Sequence, residues 1–148
     1  MLKESFKEIF DRDLRKLREE INLYNDETKI WVIDKEIKNS AGTLCLHLCG
    51  NMRYFIGSAL GGFEYQRDRD AEFSLRNVPR PELINNIDET IRVVNETMKK
   101  IDDRDIAKKY PMIVLKAEHT TEFFLIHLAT HLNYHLGQVN YHRRLLDS

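Results

Sequence analysis

Two cysteines in 148 residues are too few for a disulfide scaffold, and Cys45 and Cys49, one helical turn apart, read as reduced core residues. Net charge is nearly absent too. Lysine and arginine number 23 against 24 aspartates and glutamates, a formal net of -1, so no overall field draws the chain to nucleic acid or to an anionic membrane. The opening residues MLKESFKEIF carry charges of both signs from the third position on, which excludes the apolar core of a secretory signal peptide and points to the cytoplasm. Repeats, low-complexity tracts and recurring strand patterns are missing as well. What remains is 42% hydrophobic, enough for one core in one domain spanning residues 1–148.

The apolar spacing is helical. Phe6, Ile9, Phe10, Leu14, Leu17 and Ile21 recur at steps of three and four, with Glu8/Arg12 and Asp11/Arg15 pairs on the other side. Asn25, Asp26 and Glu27 break that pattern, and a mixed segment containing Trp31 leads to Asn39 and Ser40, either of which suits a helix cap. A second helix is expected over residues 40–59, stopped by Gly61 and Gly62 and followed by a charged loop over residues 65–77. A third opens at Pro81 and keeps an unbroken stripe of Ile84, Ile87, Ile91, Val94, Met98 and Ile101. Asp102, Asp103 and Asp105 interrupt it, and residues 110–117 fit either an extended connection or a short extra turn. Thr120 or Thr121 caps the last helix, which runs to about Leu145 with Arg143 and Arg144 at its negative end. Four main helices without strands predict an all-α four-helix bundle.

Two of these helices hold almost no charge. Residues 123–142 contain no Asp, Glu, Lys or Arg, and Arg53 is the only charged residue in 40–59. The first stretch has nearly the length of a membrane span of about 20 residues, but its four histidines, two asparagines and a glutamine make it a poor one. Helices facing each other inside the bundle fit better. Rotation by about 100° per residue gathers Ser40, Thr43, His47, Asn51, Tyr54 and Ser58 into one uncharged polar seam beside Leu44, Leu48, Met52, Phe55 and Ala59. A solvent face would carry Lys and Glu, so the seam is expected to line an internal polar site.

His127, His131 and His135 follow one another at steps of four, which sets neighbouring imidazoles on one face a turn apart. Two histidines from one helix and a third from a facing one suit Zn, Ni, Cu or Fe and leave positions open for water or substrate. His47, on the uncharged seam, is the natural third ligand. Spacing alone does not choose between His127/His131 and His131/His135. A satisfied core histidine is the commoner use of any one of them; it is the four together on two uncharged faces that point to a metal. His142 lies farther along the axis toward an exposed end, His119 stands outside the helix, and Cys45 and Cys49 point about 200° away from His47.

HLNYHLGQ, His131 to Gln138, followed by Arg143 and Arg144, and LCLHLCGN, Leu44 to Asn51, together resemble the DinB/YfiT-like superfamily of metal-binding four-helix-bundle proteins. The run GNMRYF, then GG and RDRDAEF, is similar to a subgroup carrying a charged segment after the second helix. The resemblance implies His47, His131 and His135 as the ligands, with His127 a neighbour. It also implies a divalent metal, zinc or nickel foremost, a homodimer, and in some relatives transfer of bacillithiol or mycothiol to an electrophile. Asn51, Tyr54 and Gln138 are the uncharged polar residues placed to orient a substrate or brace a ligand.

Two function classes follow. One is a transferase that activates a low-molecular-weight thiol toward a small electrophile; the other is a non-enzymatic, metal-stabilised dimeric bundle or small-ligand sensor. Hydrolysis wants a general base, for which the charged loop offers Asp70 or Glu72. The charges of residues 67–70 are expected to be solvated or paired. Cys45, Cys49 and Ile56 are read as outer residues of the second helix, open to a partner.

Overall fold

The computed structural model describes residues 1–147 and is all-α, with no β-strand among the described residues. Six helices carry it: α1 (Leu2–Leu23), α2 (Ala41–Met52), α3 (Arg69–Ser74), α4 (Arg80–Lys100), α5 (Asp103–Ala107) and α6 (Thr121–Leu146). Among the described residues no helix is long and apolar enough to cross a membrane. α1 packs along α4 and α6, while α2 lies against α3, α4 and α6. The core between them holds Phe10, Leu14, Leu17 and Ile21 from α1, Leu48 and Met52 from α2, Leu83, Ile87 and Met98 from α4, and Leu128 and Leu132 from α6.

Local chemistry sets the helix ends. Ser40 caps α2 by accepting from the Thr43 amide, and Thr120 caps α6 by accepting from the Phe123 amide, as Ser and Thr do at such positions. Pro79 precedes α4, whose first turn contains Pro81. The acidic run expected to interrupt the chain instead starts a short helix: Asp102 and Asp105 form a reciprocal capping box at α5. Likewise residues 65–77 are not all loop, because Asp68 caps α3. Asp11 pairs with Arg15 at 2.9 Å, whereas Arg12 turns to Asp13 rather than Glu8.

α2 does not run as one α-helix to residue 59. It passes into a π-helical turn at Arg53–Ser58, where the Ala59 amide donates to the Tyr54 carbonyl five residues back. The Tyr110 hydroxyl donates to the Phe55 carbonyl at 2.6 Å, tying this turn to the start of an irregular hairpin. That hairpin is the segment 110–117 left open by the sequence. Isolated bridges join Lys109 to Thr120 and Val114 to Ala117, and Leu115 and Lys116 at its tip have φ of 53° and 63°.

All of α2 is buried, Cys45 and Cys49 included, and so is Ile56 of the π-helical turn, so these are not outer residues open to a partner. Both cysteines are free thiols inside the core. The charge-free stretch of α6, by contrast, is not covered on all sides: Phe123, Ile126, Tyr134 and Tyr141 are each about half exposed or more. Its two asparagines reach α1, where Asn133 donates to the buried Asp13 at 3.1 Å and Asn140 to the buried Glu20 at 2.9 Å. Arg143 adds a 2.7 Å bond to Glu20. Burial alone would raise the Glu20 carboxyl, but the bonds from Arg143 and Asn140 outweigh it and hold the pKa below the usual carboxylate range. Two carboxylates seven residues apart thus meet two amides seven apart and lock the rotation of α6.

His142 is buried, not near an exposed end. Its Nε2–H donates to the Val32 carbonyl at 2.8 Å, and its Nδ1 accepts from the Tyr24 hydroxyl at 2.6 Å. Burial lowers its pKa despite the Val32 bond. A depressed histidine pKa favours the neutral form in the fold. The stability it contributes is complete above the unfolded value of about 6.5 and is lost as pH falls through the folded value. Replacing His142 by glutamine is therefore expected to cost more at about pH 8 than at about pH 5, read as the difference in urea midpoints from wild type. A difference that widens toward acid would contradict this. Tyr24→Phe, which leaves the Nδ1 acceptor without a donor, is expected to cost about 1–2 kcal/mol at neutral pH.

Candidate metal centre

His47 stands in the middle of α2, and His131 and His135 occupy successive turns of α6 facing it. One ligating atom from each of the three lies within 4.8 Å of the others, and the three can hold a metal ion. The rings meet edge to face: centroids are 5.1 Å apart for His47/His131, 5.5 Å for His47/His135 and 4.5 Å for His131/His135. His47 is buried and the other two are half-buried.

The outer nitrogens are occupied in a way that frees the inner ones. His47 Nδ1 lies 3.2 Å from Glu72 Oε1, and since a carboxylate only accepts, Nδ1 carries the hydrogen and Nε2 keeps its lone pair. His135 Nδ1 likewise donates to Gln138 Oε1 at 2.7 Å, again leaving Nε2 bare. His47 Nε2 faces His131 Nε2 at 3.2 Å. Two imidazole nitrogens bound tetrahedrally at about 2.0–2.1 Å stand about 3.3 Å apart, so this spacing fits a shared ion. Burial first, then the neighbouring His135 and His47, pushes the His131 pKa down to about 4, and burial also lowers that of His135 against the Gln138 bond. Both are neutral, with ligating lone pairs, at pH 7.

Glu72 is the residue the sequence did not single out for this place. It comes from α3, is buried, and is gripped by Arg67 through Nε at 2.9 Å and Nη2 at 3.0 Å while accepting from His47. Burial would raise its carboxyl, but the bonds from His47 and Arg67 outweigh that and hold it below the ordinary range. It is therefore ionised and committed, a brace on His47 rather than a free base for hydrolysis. Asp70, the other base considered, is exposed on the same short helix. Arg67 is paired, as expected for that charged run. The signal for Glu72 was Gly50, one turn after His47: a Cβ there would overlap Glu72 Oε2 and lie 2.6 Å from its carboxyl carbon. A glycine inside a helix weakens it and often marks a close approach.

Asn51, Tyr54 and His127 gather beside the cluster, lining a cleft with His131, and His127 stacks on His131 at 6.2 Å between centroids. Gln138 touches His135 from the exposed side. His119 stays apart, stacked on Phe123 at 4.5 Å. Ser40 and Thr43, the start of the polar seam, hydrogen-bond to each other at the cap rather than joining the site.

Residues 2–148 match a family described as a protein of unknown function (DUF1572). The chain belongs to this family. No curated protein matches it. The DUF1572 match spans α1 through α6, so the three histidines, the Glu72 brace and the hairpin all fall inside the family's extent.

Proposed function

We propose that this DUF1572 protein is a single-domain, DinB/YfiT-like four-helix bundle of the cytoplasm that binds one divalent transition ion, zinc or nickel, through His47, His131 and His135. Its activity is that of a transferase activating a low-molecular-weight thiol toward a small electrophile. The observation that carries the reading is the pair of outer contacts, Glu72 on His47 and Gln138 on His135, which leave inner lone pairs facing one point. The inner nitrogen of His47 faces that of His131 at 3.2 Å, close to the separation of two imidazoles sharing one ion. A three-nitrogen set leaves a coordination position open, the mark of a reactive rather than a closed structural site.

Bound there, such an ion would supply the Lewis acidity that turns a coordinated thiol into a nucleophile at neutral pH. The chain's own part is to fix the ligands. Glu72, itself held by Arg67, sets the tautomer and plane of His47, and Gln138 does the same for His135. Asn51, Tyr54 and His127 border the space in which the second reactant is oriented.

Cobalt-substituted protein titrated with 2-mercaptoethanol tests this reading. An open position is expected to give a new sulfur-to-cobalt charge-transfer absorption that saturates with thiol and is lost in His47→Ala. A spectrum unmoved by thiol would sink the transferase reading. The second reading, a metal-stabilised dimeric module or ligand sensor, is favoured by one feature, the uncharged exposed stripe of Phe123, Ile126, Tyr134 and Tyr141 on α6. For the homodimer, that stripe replaces the buried α2 residues as the contact surface.

A further inference from the structure

The cleft beside His131 has a volume of about 350 Å³, at the small end for ligand sites. It lies between α6, the π-helical end of α2 and the hairpin of residues 109–120, and no Asp, Glu, Lys or Arg lines it. Met112, Leu115, Phe124 and Leu128 supply apolar wall, and Asn51 and His131 are among its polar members. In a chain that is 32% charged, a charge-free cleft against a histidine cluster is a selective environment.

Two residues of its lining each carry an unsatisfied buried polar atom. Asn51, only 7% exposed, has a buried Oδ1 with no hydrogen-bond partner, and His131 has a buried Nδ1 in the same condition. Buried polar groups are nearly always paired, so each exception asks for an explanation. Without an ion, His131 Nε2–H donates to the bare His47 Nε2 and Nδ1 is an acceptor; with an ion held at Nε2, Nδ1 carries the hydrogen. With an ion bound the pair is thus one waiting acceptor and one waiting donor, which a hydroxyl or a carboxamide satisfies; metal-free, either acceptor still takes a hydroxyl or amide hydrogen. The rim is built at a cost. Ile113 and Leu115 are exposed by 62% and 51%, and Leu115 and Lys116 hold left-handed backbone that such side chains rarely adopt. Strain and exposed apolar surface kept at one rim favour a contact made there.

We propose that this cleft binds a small, uncharged, mainly apolar molecule whose single hydroxyl or carboxamide end lies beside Asn51 and His131. The inference rests on the metal reading for the donor role of His131 and for what the molecule does next: it names the class of second reactant for the histidine centre. Charged metabolites are excluded by the walls, which offer no counter-ion for a desolvated charge.

Benzyl alcohol, benzoate and benzylammonium share one ring and differ in charge, and each can be titrated into the full chain, metal-free and zinc-loaded, with amide chemical shifts as the readout. Benzyl alcohol is expected to saturate with a Kd of about 1 mM or tighter, moving resonances of Asn51, Leu115 and Phe124, with both ions at least about ten-fold weaker. Leu115→Asp puts a charge on the rim at a backbone conformation aspartate tolerates better than leucine, so it is expected to fold normally and bind about ten-fold less tightly. Asn51→Leu keeps the bulk and loses the acceptor, for a weakening of about five-fold. Benzoate or benzylammonium binding as tightly as the alcohol, or shifts confined elsewhere, would overturn the proposal. Zinc uptake measured on the same samples separates the two readings. Protein that takes zinc but no benzyl alcohol refutes the cleft alone, and protein that binds the alcohol but no zinc supports the cleft and refutes the metal centre.

Discussion

The His131→Ala/His135→Ala variant is expected to lose all stabilisation by zinc. In the wild type, zinc at about a hundred times its Kd should add about 2.7 kcal/mol to folding stability, since the ion binds the assembled ligands and not the unfolded chain. For a chain of this length that is a rise of about 8 °C in Tm. Removing both α6 ligands leaves His47 alone, and one imidazole on a neutral surface does not hold the ion. The metal-free variant should not be crippled. Both side chains are half-buried, and their loss opens toward the cleft and the Gln138 side rather than inside the core of Phe10, Leu14 and Met52. Calorimetry with and without zinc decides it, and a variant whose Tm still rises with zinc by the wild-type amount would place the ion elsewhere.

Gly50→Ala carries the second large effect, with a direction opposite to what helix propensity alone would give. Alanine in a helix interior is favoured over glycine by about 1 kcal/mol. Here the added methyl would overlap the Glu72 carboxylate, which cannot retreat without leaving Arg67 and His47. Breaking a buried ion pair costs about 3–5 kcal/mol, so the net expectation is a loss of about 2–4 kcal/mol. Zinc affinity should fall as well, by about ten- to a hundred-fold, because His47 loses the carboxylate that orients it. A double-mutant cycle with Glu72→Ala separates this from a general helix effect. If the overlap is the cause, the two substitutions together cost less than the sum of each alone. Additive costs, or a stabilised Gly50→Ala protein, would show that Glu72 does not sit where α3 brings it.

Periodicity reached what is local along one helix. Ile87, Ile91, Val94 and Met98 of the expected stripe lie on the buried face of α4, though Leu83 rather than the half-buried Ile84 begins it and Ile101 caps the helix; Ser40 and Thr120 cap α2 and α6, and the steps of four on α6 bring His131 and His135 to one point with His47. Features that depend on contact across the chain were not legible. Glu72 is 25 residues from His47, and nothing in its neighbourhood distinguishes it from other charged loop residues; Gly50 alone registered its approach. Nothing in the pattern of residues 53–58 marks the π-helical turn, whose contacts are with Tyr110 and α4, distant in sequence. Absence of charge was read as burial on both uncharged helices. That holds for α2, but on α6 one uncharged face is open to solvent, since lack of charge says only that a face is not selected for solvation. Asp102 and Asp105 illustrate the reverse case, where polar residues that interrupt one helix begin the next.

Metal content of protein purified without an affinity tag, measured by mass spectrometry beside His47→Ala, tests the central claim most directly. The account predicts about one zinc or nickel per wild-type chain and a loss of it when the α2 ligand is removed. A wild type that stays metal-free after soaking in either ion, or a His47→Ala protein that retains the full amount, would contradict it.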